Sequence, residues 1–226
     1  MYWIILWILL VLGLGFCLWF LWKHVPRYAV LPVLLTVAVN GLAYYVPKLI
    51  PTGIQPVYMG LPIDESIPFC QEFIYIYVLA YFQWAMGWML LARQERSFMN
   101  RRLAGEWISK GICCLFFILL PTIMTRPVPQ GDSFAAFLTR CIYKSDAPKN
   151  LLPSIHCLES WLCFRNALRF KGVPRWYLPL TALMTLLVFA STLLVKQHVL
   201  VDVPAGILAA ELGLFLANKC RLGGLI

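Results

Sequence analysis

The chain has 226 residues, of which 61% are hydrophobic and only 13% are charged. Soluble domains are nearer to one quarter charged, so these proportions predict an integral membrane protein and exclude soluble multi-domain classes. The net charge of +9 would indicate a nucleic-acid partner in a soluble protein. Here the basic residues fall in short clusters between apolar runs, and membrane topology explains them better. We therefore expect a lipid bilayer as the partner, and no nucleic acid.

Seven apolar stretches are long enough to cross the membrane as helices. Each approaches the ~20 residues that a helix needs to span about 30 Å of hydrocarbon. Backbone groups in lipid must be bonded within the segment, and these runs lack the alternation of barrel strands. The first stretch has no basic start and is too long for a signal peptide, which predicts a retained span. The predicted spans are roughly 2–22, 28–47, 73–92, 107–125, 154–170, 177–197 and 203–219.

The fold class that follows is all-α, a polytopic membrane bundle of about six or seven transmembrane helices. We expect one integral membrane domain over residues 1–226, with N-terminal spans in 1–106 and the motif-bearing core spans in 107–219. Alternate loops are rich in lysine and arginine, and such loops face the cytoplasm. This orientation predicts an outer N-terminus and a cytoplasmic C-terminus. The orienting residues are Lys23, Arg27, Arg93, Arg96, Arg101, Arg102, Arg165, Arg169, Lys171, Arg175, Lys219 and Arg221.

The loop over residues 126–153 breaks this alternation, because it is basic although it is predicted to lie outside. Its cations are Arg126, Arg140, Lys144 and Lys149. An anionic ligand and a merely solvated basic loop are both consistent with this charge. The other long outer loop, 48–72, carries Asp64 and Glu65. These two acids are either solvated loop residues or contacts for a polar acceptor.

The eight cysteines show no CxxC or zinc-type spacing. Five of them lie in apolar runs, where a thiol is usually an inert packing group. Cys70 and Cys141 both fall in the predicted outer loops. They either form a disulfide or remain free, because spacing alone does not show proximity.

The stretch NLLPSIHCLE marks a helix start at the head of an apolar run. Pro153 suits a first helical turn, where its missing N–H costs nothing, and Asn150 is placed to cap that turn. The free N–H groups of the turn and the helix dipole favour an anion beside Ser154 and His156. Glu159 falls on the same helix face as His156. It either buffers the imidazole or bonds within the bundle.

His198 and Asp202 are four residues apart, in the segment that joins the last two predicted spans. On a helical turn this spacing lets the carboxylate accept from the imidazole. Such a bond fixes the tautomer and leaves the other ring nitrogen free to attack or to bind a metal. Arg126 directly follows the fourth span. With Ser154 and His156, these residues are predicted to share one outer membrane face, where ionisable groups indicate function.

The order R-P, P-S-x-H and S-x6-H-x3-D resembles the type 2 phosphatidic acid phosphatase superfamily, which contains membrane lipid phosphatases and phosphotransferases. Its patterns are K-x6-R-P, P-S-G-H and S-R-x5-H-x3-D on helical bundles, and the resemblance covers roughly residues 119–206. The stretch IDESIPFCQEFIYIYVLAY is similar to bacterial members near the inositol-phosphoceramide-synthase-like branch, which implies a bacterial plasma membrane. The chain departs from the pattern at three positions. Leu119 replaces the lysine, Ile155 the glycine and Thr192 the arginine.

The resemblance implies hydrolysis of a membrane lipid phosphate or pyrophosphate monoester through a phosphohistidine, with no metal or other cofactor. His198 would be the nucleophile, and Asp202 would orient it. His156 would protonate the leaving alkoxide and then activate water or an acceptor alcohol. The active site would lie on the extracytoplasmic face. Phosphate would be held by Arg126 and Ser154, with Lys196, Arg140, Lys144 or Lys149 in place of the missing cations.

Three other functions remain open from the sequence. The first is a lipid phosphotransferase, which moves a phospho-headgroup to an alcohol acceptor. The second is a metal-dependent membrane hydrolase with His156, His198 and Asp202 as zinc ligands. The third is a non-catalytic, transporter-like protein whose ionisable residues line a pathway. The substrate is equally open, since phosphatidic acid, phosphatidylglycerol phosphate, prenyl pyrophosphate and sphingolipid phosphates all fit, and so is the oligomeric state.

Overall fold

A computed structural model describes residues 2, 12, 13, 15–17, 19, 20 and 23–222 of the chain. Most of the predicted first span, 2–22, lies outside the described residues. The described part is all-α, as predicted. Its only β-type pairing consists of two isolated bridges, Val57 with Thr122 and Ile123 with Lys149, which tie loops together.

Eight α-helices and one short 3-10 helix lie within residues 27–219. In chain order they are α1 (Arg27–Leu49), α2 (Pro62–Ser66), the 3-10 helix Gln71–Phe73, α3 (Ile74–Leu91), α4 (Arg96–Leu119), α5 (Phe134–Ser145), α6 (Ile155–Ala167), α7 (Tyr177–Leu194) and α8 (Asp202–Lys219). Helices α1, α3, α4, α6, α7 and α8 overlap six of the predicted spans, and α4 ends at Leu119 where the prediction ended at 125. Among the described residues, three helical stretches are long and apolar enough to cross a membrane, namely Arg27–Leu49, Gln71–Leu91 and Tyr177–Leu194.

The other three predicted spans differ from simple apolar spans for identifiable reasons. Helix α4 begins at Arg96 rather than near residue 107, because the helix continues through a charged segment that hydropathy does not count as span. Helix α6 has 13 residues, which is ~20 Å and shorter than the hydrocarbon layer. Helix α8 keeps Asp202 and Glu211 within its 18 residues.

Outward-facing positions on the long helices carry large apolar side chains. Leu31 and Leu42 of α1 are 64% and 58% exposed, and Phe82 of α3 and Leu186 of α7 are 51% and 64% exposed. Exposed apolar side chains at this density are costly in water and favourable in lipid. The surface is therefore compatible with an integral membrane protein.

Helix α6 is central to the bundle and packs against α3, α4, α7 and α8. Helices α4 and α8 approach each other through small residues. A Cβ added to Gly213 would lie 2.3 Å from the carbonyl oxygen of Gly105 and 2.1 Å from Oγ of Ser109. Glycine at this position allows the two backbones to meet, as is common between membrane helices.

A buried ion pair joins α4 to α6. Lys110 and Glu159 are 1% and 0% exposed, and the ammonium contacts the carboxylate directly. One turn earlier in α4, Oε1 of the buried Glu106 accepts from the indole N–H of Trp88 at 2.9 Å. Of the two predicted roles for Glu159, bonding within the bundle is therefore the one observed.

The predicted outer loop 126–153 contains a helix that the sequence analysis did not identify. Ser133 caps α5, accepting from the backbone N–H of Ala136 at 3.1 Å. Ala135 and Leu138 bury one face of α5 against α3 and Val195. Helix α5 thus lies over one end of the bundle, beside the turn that carries His198.

Candidate active site

The His198–Asp202 pair lies in the turn that joins α7 to α8. Nδ1 of His198 is 3.0 Å from Oδ2 of Asp202, so the predicted hydrogen bond is present. The same oxygen accepts from the backbone N–H of Val199 at 3.1 Å, and Asp202 is fully buried. A carboxylate held in this way orients the ring through Nδ1. Among the described residues, none forms a hydrogen bond with Nε2 of His198.

His156 lies in the first turn of α6, as predicted, but the start of that helix differs. The residue that caps α6 is Ser154, whose hydroxyl accepts from the backbone N–H of Cys157 at 3.3 Å. The predicted cap, Asn150, lies four residues earlier in a left-handed conformation, with φ of 60°. Pro153 precedes the cap instead of occupying the first turn. The prediction was wrong because Ser154 itself is a strong capping residue.

A tyrosine that the sequence analysis did not single out holds His156. Oη of Tyr77 lies 3.3 Å from Nδ1 of His156, and the two rings stack with centroids 4.0 Å apart. Trp84 contacts the imidazole edge at 4.8 Å between centroids. Nε2 of His156 is buried and has no hydrogen-bond partner in the described part of the chain. The contacts therefore engage Nδ1 and leave Nε2 available.

Both histidines line one cavity of about 190 Å³, called the first cavity below. One of its walls is aromatic, formed by Tyr44 and Tyr45 of α1 and by Tyr81 and Trp84 of α3. Its other lining residues are Asn40, Gly41, Phe117, Ile142, Ser145, Asp146, Lys149, Asn150, Leu151, Ile155 and Gln197. An amphiphile with a polar head at the histidines and an apolar body along this wall fits the chemistry of the cavity.

Arg126 lies close to His198 and is held from several sides. Its two terminal nitrogens donate to the carbonyl oxygen of Asp146 and to Oε1 of Gln197, each at 2.5 Å. The guanidinium also lies 4.9 Å from the ring centre of Tyr143. Burial lowers the pKa of Arg126, an effect opposed by nearby tyrosine hydroxyls, and the side chain stays cationic. Nε is buried without a partner among the described residues.

His198 also borders a second cavity of about 450 Å³, which it shares with Arg126 and Lys196. The ammonium of Lys196 donates to the carbonyl oxygens of Asp64 at 3.0 Å and Ile67 at 2.6 Å. Lys196 therefore supplies positive charge beside His198 while holding the 48–72 loop in place.

The remaining predicted phosphate-binding residues are not all near the histidines. Lys149 is exposed and borders the first cavity. Ser154 is fully buried, and its hydroxyl is used as the helix cap. Arg140 is exposed and donates to the carbonyl oxygen of Gly131 at 2.9 Å. Lys144 is also exposed, and neither Arg140 nor Lys144 lines either cavity.

Asp64 has a structural role that neither predicted reading anticipated. Its carboxylate is buried and accepts from the backbone N–H groups of Leu61 and Leu200, both at 2.7 Å. Because Leu200 lies between His198 and Asp202, this bond ties the 48–72 loop to the histidine turn. Glu65, by contrast, is exposed and lines the second cavity.

Asp146 is a further ionisable group at the first cavity. Burial raises the pKa of its carboxyl to about 6, and His198 acts in the opposite direction. Lys48 lies 3.5 Å from Oδ1. Asp146 therefore changes charge near neutral pH at the wall of the cavity that holds both histidines.

The three departures from the family pattern have clear places in the structure. Leu119 is 66% exposed at the end of α4, and Ile155 packs in the core beside Leu158. Thr192 is buried, and its carbonyl oxygen accepts from the backbone N–H groups of Gln197 and His198 at 2.9 and 3.1 Å. None of these positions supplies a cation, so the positive charge beside His198 comes from Arg126 and Lys196.

Within the described part of the chain, no group of three or more His, Cys, Asp and Glu side chains is arranged to hold a metal ion. Cys70 and Cys141 are free thiols. No family model, no curated protein and no solved structure matches this chain.

Proposed function

We propose that this chain is a membrane lipid phosphatase of the type 2 phosphatidic acid phosphatase kind, acting through a phosphohistidine on His198. The observation that carries the proposal is a pair of histidines on one cavity, each held at Nδ1 and each with no hydrogen bond from Nε2 to the described residues. Two cations, Arg126 and Lys196, line the second cavity together with His198. Phosphoryl transfer depends on such positioning and charge stabilisation.

In the proposed first step, Nε2 of His198 attacks phosphorus and a P–N bond forms as the bond to the leaving alkoxide breaks. Asp202 stabilises the positive charge that develops on the imidazole. His156 gives its proton from Nε2 to the alkoxide. Arg126, which lines the second cavity with His198, holds the non-bridging oxygens, and its Nε has no partner among the described residues.

In the second step, water attacks phosphorus and His156 accepts its proton, so that inorganic phosphate leaves and the P–N bond breaks. Each histidine then returns to its starting state. The scheme uses no metal and needs none of the missing family cations. The lipid phosphate or pyrophosphate monoester would enter with its apolar body along the aromatic wall between α1 and α3.

The membrane arrangement that accompanies this proposal has six or seven spans, with α4, α6 and α8 completing the set. Under the predicted orientation the histidines face the extracytoplasmic side of a bacterial plasma membrane, and the C-terminus is cytoplasmic. Membership of the type 2 phosphatidic acid phosphatase superfamily is part of the proposal, and rests on the three motifs and the geometry of their residues.

A lipid phosphotransferase is the second candidate, and one observation favours it. His198 borders both cavities, so a donor and an alcohol acceptor have separate approaches to the same imidazole. Both candidates share the phosphohistidine and differ only in the group that attacks it.

A screen of the purified chain against lipid phosphates tests the proposal, with phosphate release measured in the presence and absence of a chelator. Release that is unaffected by the chelator and lost in His198→Asn is expected. No release of inorganic phosphate, with formation of a new phosphomonoester when an alcohol is supplied, would assign the transferase. Loss of activity with the chelator would favour the metal-dependent hydrolase instead.

A further inference from the structure

A groove at the other end of the bundle gathers four cationic side chains. Arg101 and Arg102 lie near the start of α4, and Arg169 and Lys171 follow α6. Helix α4 has 24 residues, so it is about 36 Å long. Its far end leads to Arg126, which places the groove and the histidines at opposite ends of the molecule. The groove has a volume of about 400 Å³ and is called the basic groove below.

The basic groove has a fixed frame. The buried Gln94 accepts from the backbone N–H of Lys171 at 2.8 Å and donates to its carbonyl oxygen at 3.2 Å. These two hydrogen bonds hold the loop after α6 against the loop before α4. Arg102 lies 5.2 Å from the ring centre of Phe98, and Asn218 at the end of α8 completes the lining. The groove is therefore lined by three separate segments, two of which carry its four cations.

The four cations of the basic groove form no ion pair with the described residues, and Glu211 acts on Arg102 only from a distance. None of the groove's four cations has a carboxylate of a described residue within 4.0 Å. Glu95 is the one acidic residue among its described lining residues, and that carboxylate accepts from the hydroxyl of Ser97 at 2.6 Å.

A neutralised arginine at the same end of the bundle shows the contrast. Arg165 is paired with Glu211 through two of its nitrogens, whereas the four groove cations have no such partner. Like charges gathered in one groove repel each other, and a bound anion relieves that repulsion.

We propose that the basic groove binds a phosphate group, carried by an anionic lipid headgroup or present as free phosphate. Guanidinium groups match phosphate oxygens with directed pairs of N–H bonds, and three of the four cations are arginines. A basic pocket between helices at a membrane end is a recognised position for lipid headgroups. Cations that only set the orientation of a protein in the membrane need to lie near helix ends, but they do not need to gather in one groove. The proposal does not depend on the function proposed for the histidines.

The test uses the full chain purified in detergent and native mass spectrometry. The probes are short-chain phosphatidylglycerol, phosphatidylcholine with the same chains, and inorganic phosphate as a competitor. The variant Arg101→Gln/Arg169→Gln removes two groove cations. The control Arg93→Gln/Arg175→Gln removes two exposed cations from the same end that do not line the groove.

We expect the chain to retain phosphatidylglycerol in preference to phosphatidylcholine. The groove variant should lower its occupancy about tenfold, since each basic residue near a membrane surface contributes measurably to anion binding. The control variant should stay within about twofold of the unmodified chain. His198→Asn should leave the binding unchanged, which separates the groove from the histidine cavity.

Phosphatidylglycerol that resists millimolar phosphate would assign a lipid headgroup, and displacement by phosphate would assign a free anion. Both results support the site. The proposal is overturned if neither probe binds above the phosphatidylcholine level. An equal loss of binding in the control variant would also overturn it, because the effect would then be general surface charge.

Discussion

Two buried carboxylates in this molecule have opposite surroundings. Glu159 is paired with Lys110, which is 1% exposed, so both charges are enclosed between α4 and α6. Asp202 is paired with His198, whose side chain is 10% exposed and borders two cavities. The first pair has no free group to offer a ligand, whereas the second keeps a ring nitrogen. In this protein a buried charged pair therefore indicates a reactive site only where one of its two side chains still reaches a cavity.

Breaking the His198–Asp202 pair, called the open pair below, should have the largest effect, and that effect is on catalysis. His198→Asn should lower the rate of phosphate release by about 10⁴-fold or more, because loss of a nucleophile removes the covalent route. The measurement is phosphate release from a short-chain lipid phosphate, with thermal unfolding recorded in parallel. His24→Asn is the matched control, since His24 is exposed and lines neither cavity. Normal turnover in His198→Asn would contradict the open-pair account.

Breaking the Lys110–Glu159 pair, the closed pair, should lower the stability of the fold instead. Lys110→Met leaves Glu159 buried without its partner, which should cost about 3–5 kcal/mol in the free energy of unfolding. The measurement is unfolding in detergent. The double variant Lys110→Met/Glu159→Leu should recover most of the loss, because no unpaired charge remains. A double variant as unstable as the single one would show that the pair is more than a closed structural contact.

Tyr77 allows a finer test of the open site. Tyr77→Phe keeps the ring stacked on His156 but removes the hydroxyl 3.3 Å from Nδ1. We expect about a tenfold lower rate and a displaced limb of the pH–rate profile, because the proton on His156 is no longer held at one nitrogen.

Tyr143→Phe is the control for Tyr77→Phe. It removes a hydroxyl that donates to the carbonyl oxygen of Val195 at 2.8 Å, without a contact to either histidine. Tyr143→Phe can change the rate without affecting the test, because its pH–rate profile should keep the shape seen in the unmodified chain. Identical profiles in all three proteins would exclude a positioning role for Tyr77.

Asp146 should produce the smallest effect, visible only as a pH dependence. Because its pKa is raised to about 6, the carboxyl is neutral below that pH and negative above it. An anionic substrate in the first cavity should therefore bind a few-fold more weakly as the pH rises from about 5 to about 7. Lys48, Arg126 and His198 face this group, and all three are the same in Asp146→Asn and in the unmodified chain.

Asp146→Asn should give a KM that no longer changes over this pH range. Ionisation of Asp146 also lowers the stability of the folded state, so binding and stability both weaken as the pH rises. The folded state holds the Asp146 proton more tightly than the unfolded chain, so stability falls as the pH rises from about 4 to about 6. A KM that still rises in Asp146→Asn would assign the titration to another group.

Local spacing explains why the sequence was informative about His198 and Asp202. A four-residue separation on a helical turn needs no long-range information, and the hydrogen bond was present as predicted. The span predictions for α1, α3 and α7 were close for the same reason, since each is one continuous apolar run. Helix α4 was placed too late because its first turns are charged, and helices continue through residues that hydropathy rejects.

Contacts between distant segments account for what the sequence did not reveal. Tyr77 and His156 are 79 residues apart, and Asp64 and Leu200 are 136 apart. No periodicity within either segment indicates its partner. Helix α5 was missed because the flanking prolines and glycine of RPVPQGD are typical of a loop, and they hide the cap at Ser133. The cavity beside the histidines depends on all of these contacts.

The central claim is that His198 carries phosphorus during turnover, and acid-free peptide mapping after rapid quench tests it most directly. The chain is mixed with a lipid phosphate, quenched within the turnover time, digested and analysed for a phosphoryl group on each histidine peptide. We predict a phosphoryl group on His198 that decays in acid, and none on His156. Steady turnover with no phosphoryl group on His198, or with the group on His156, would contradict the account.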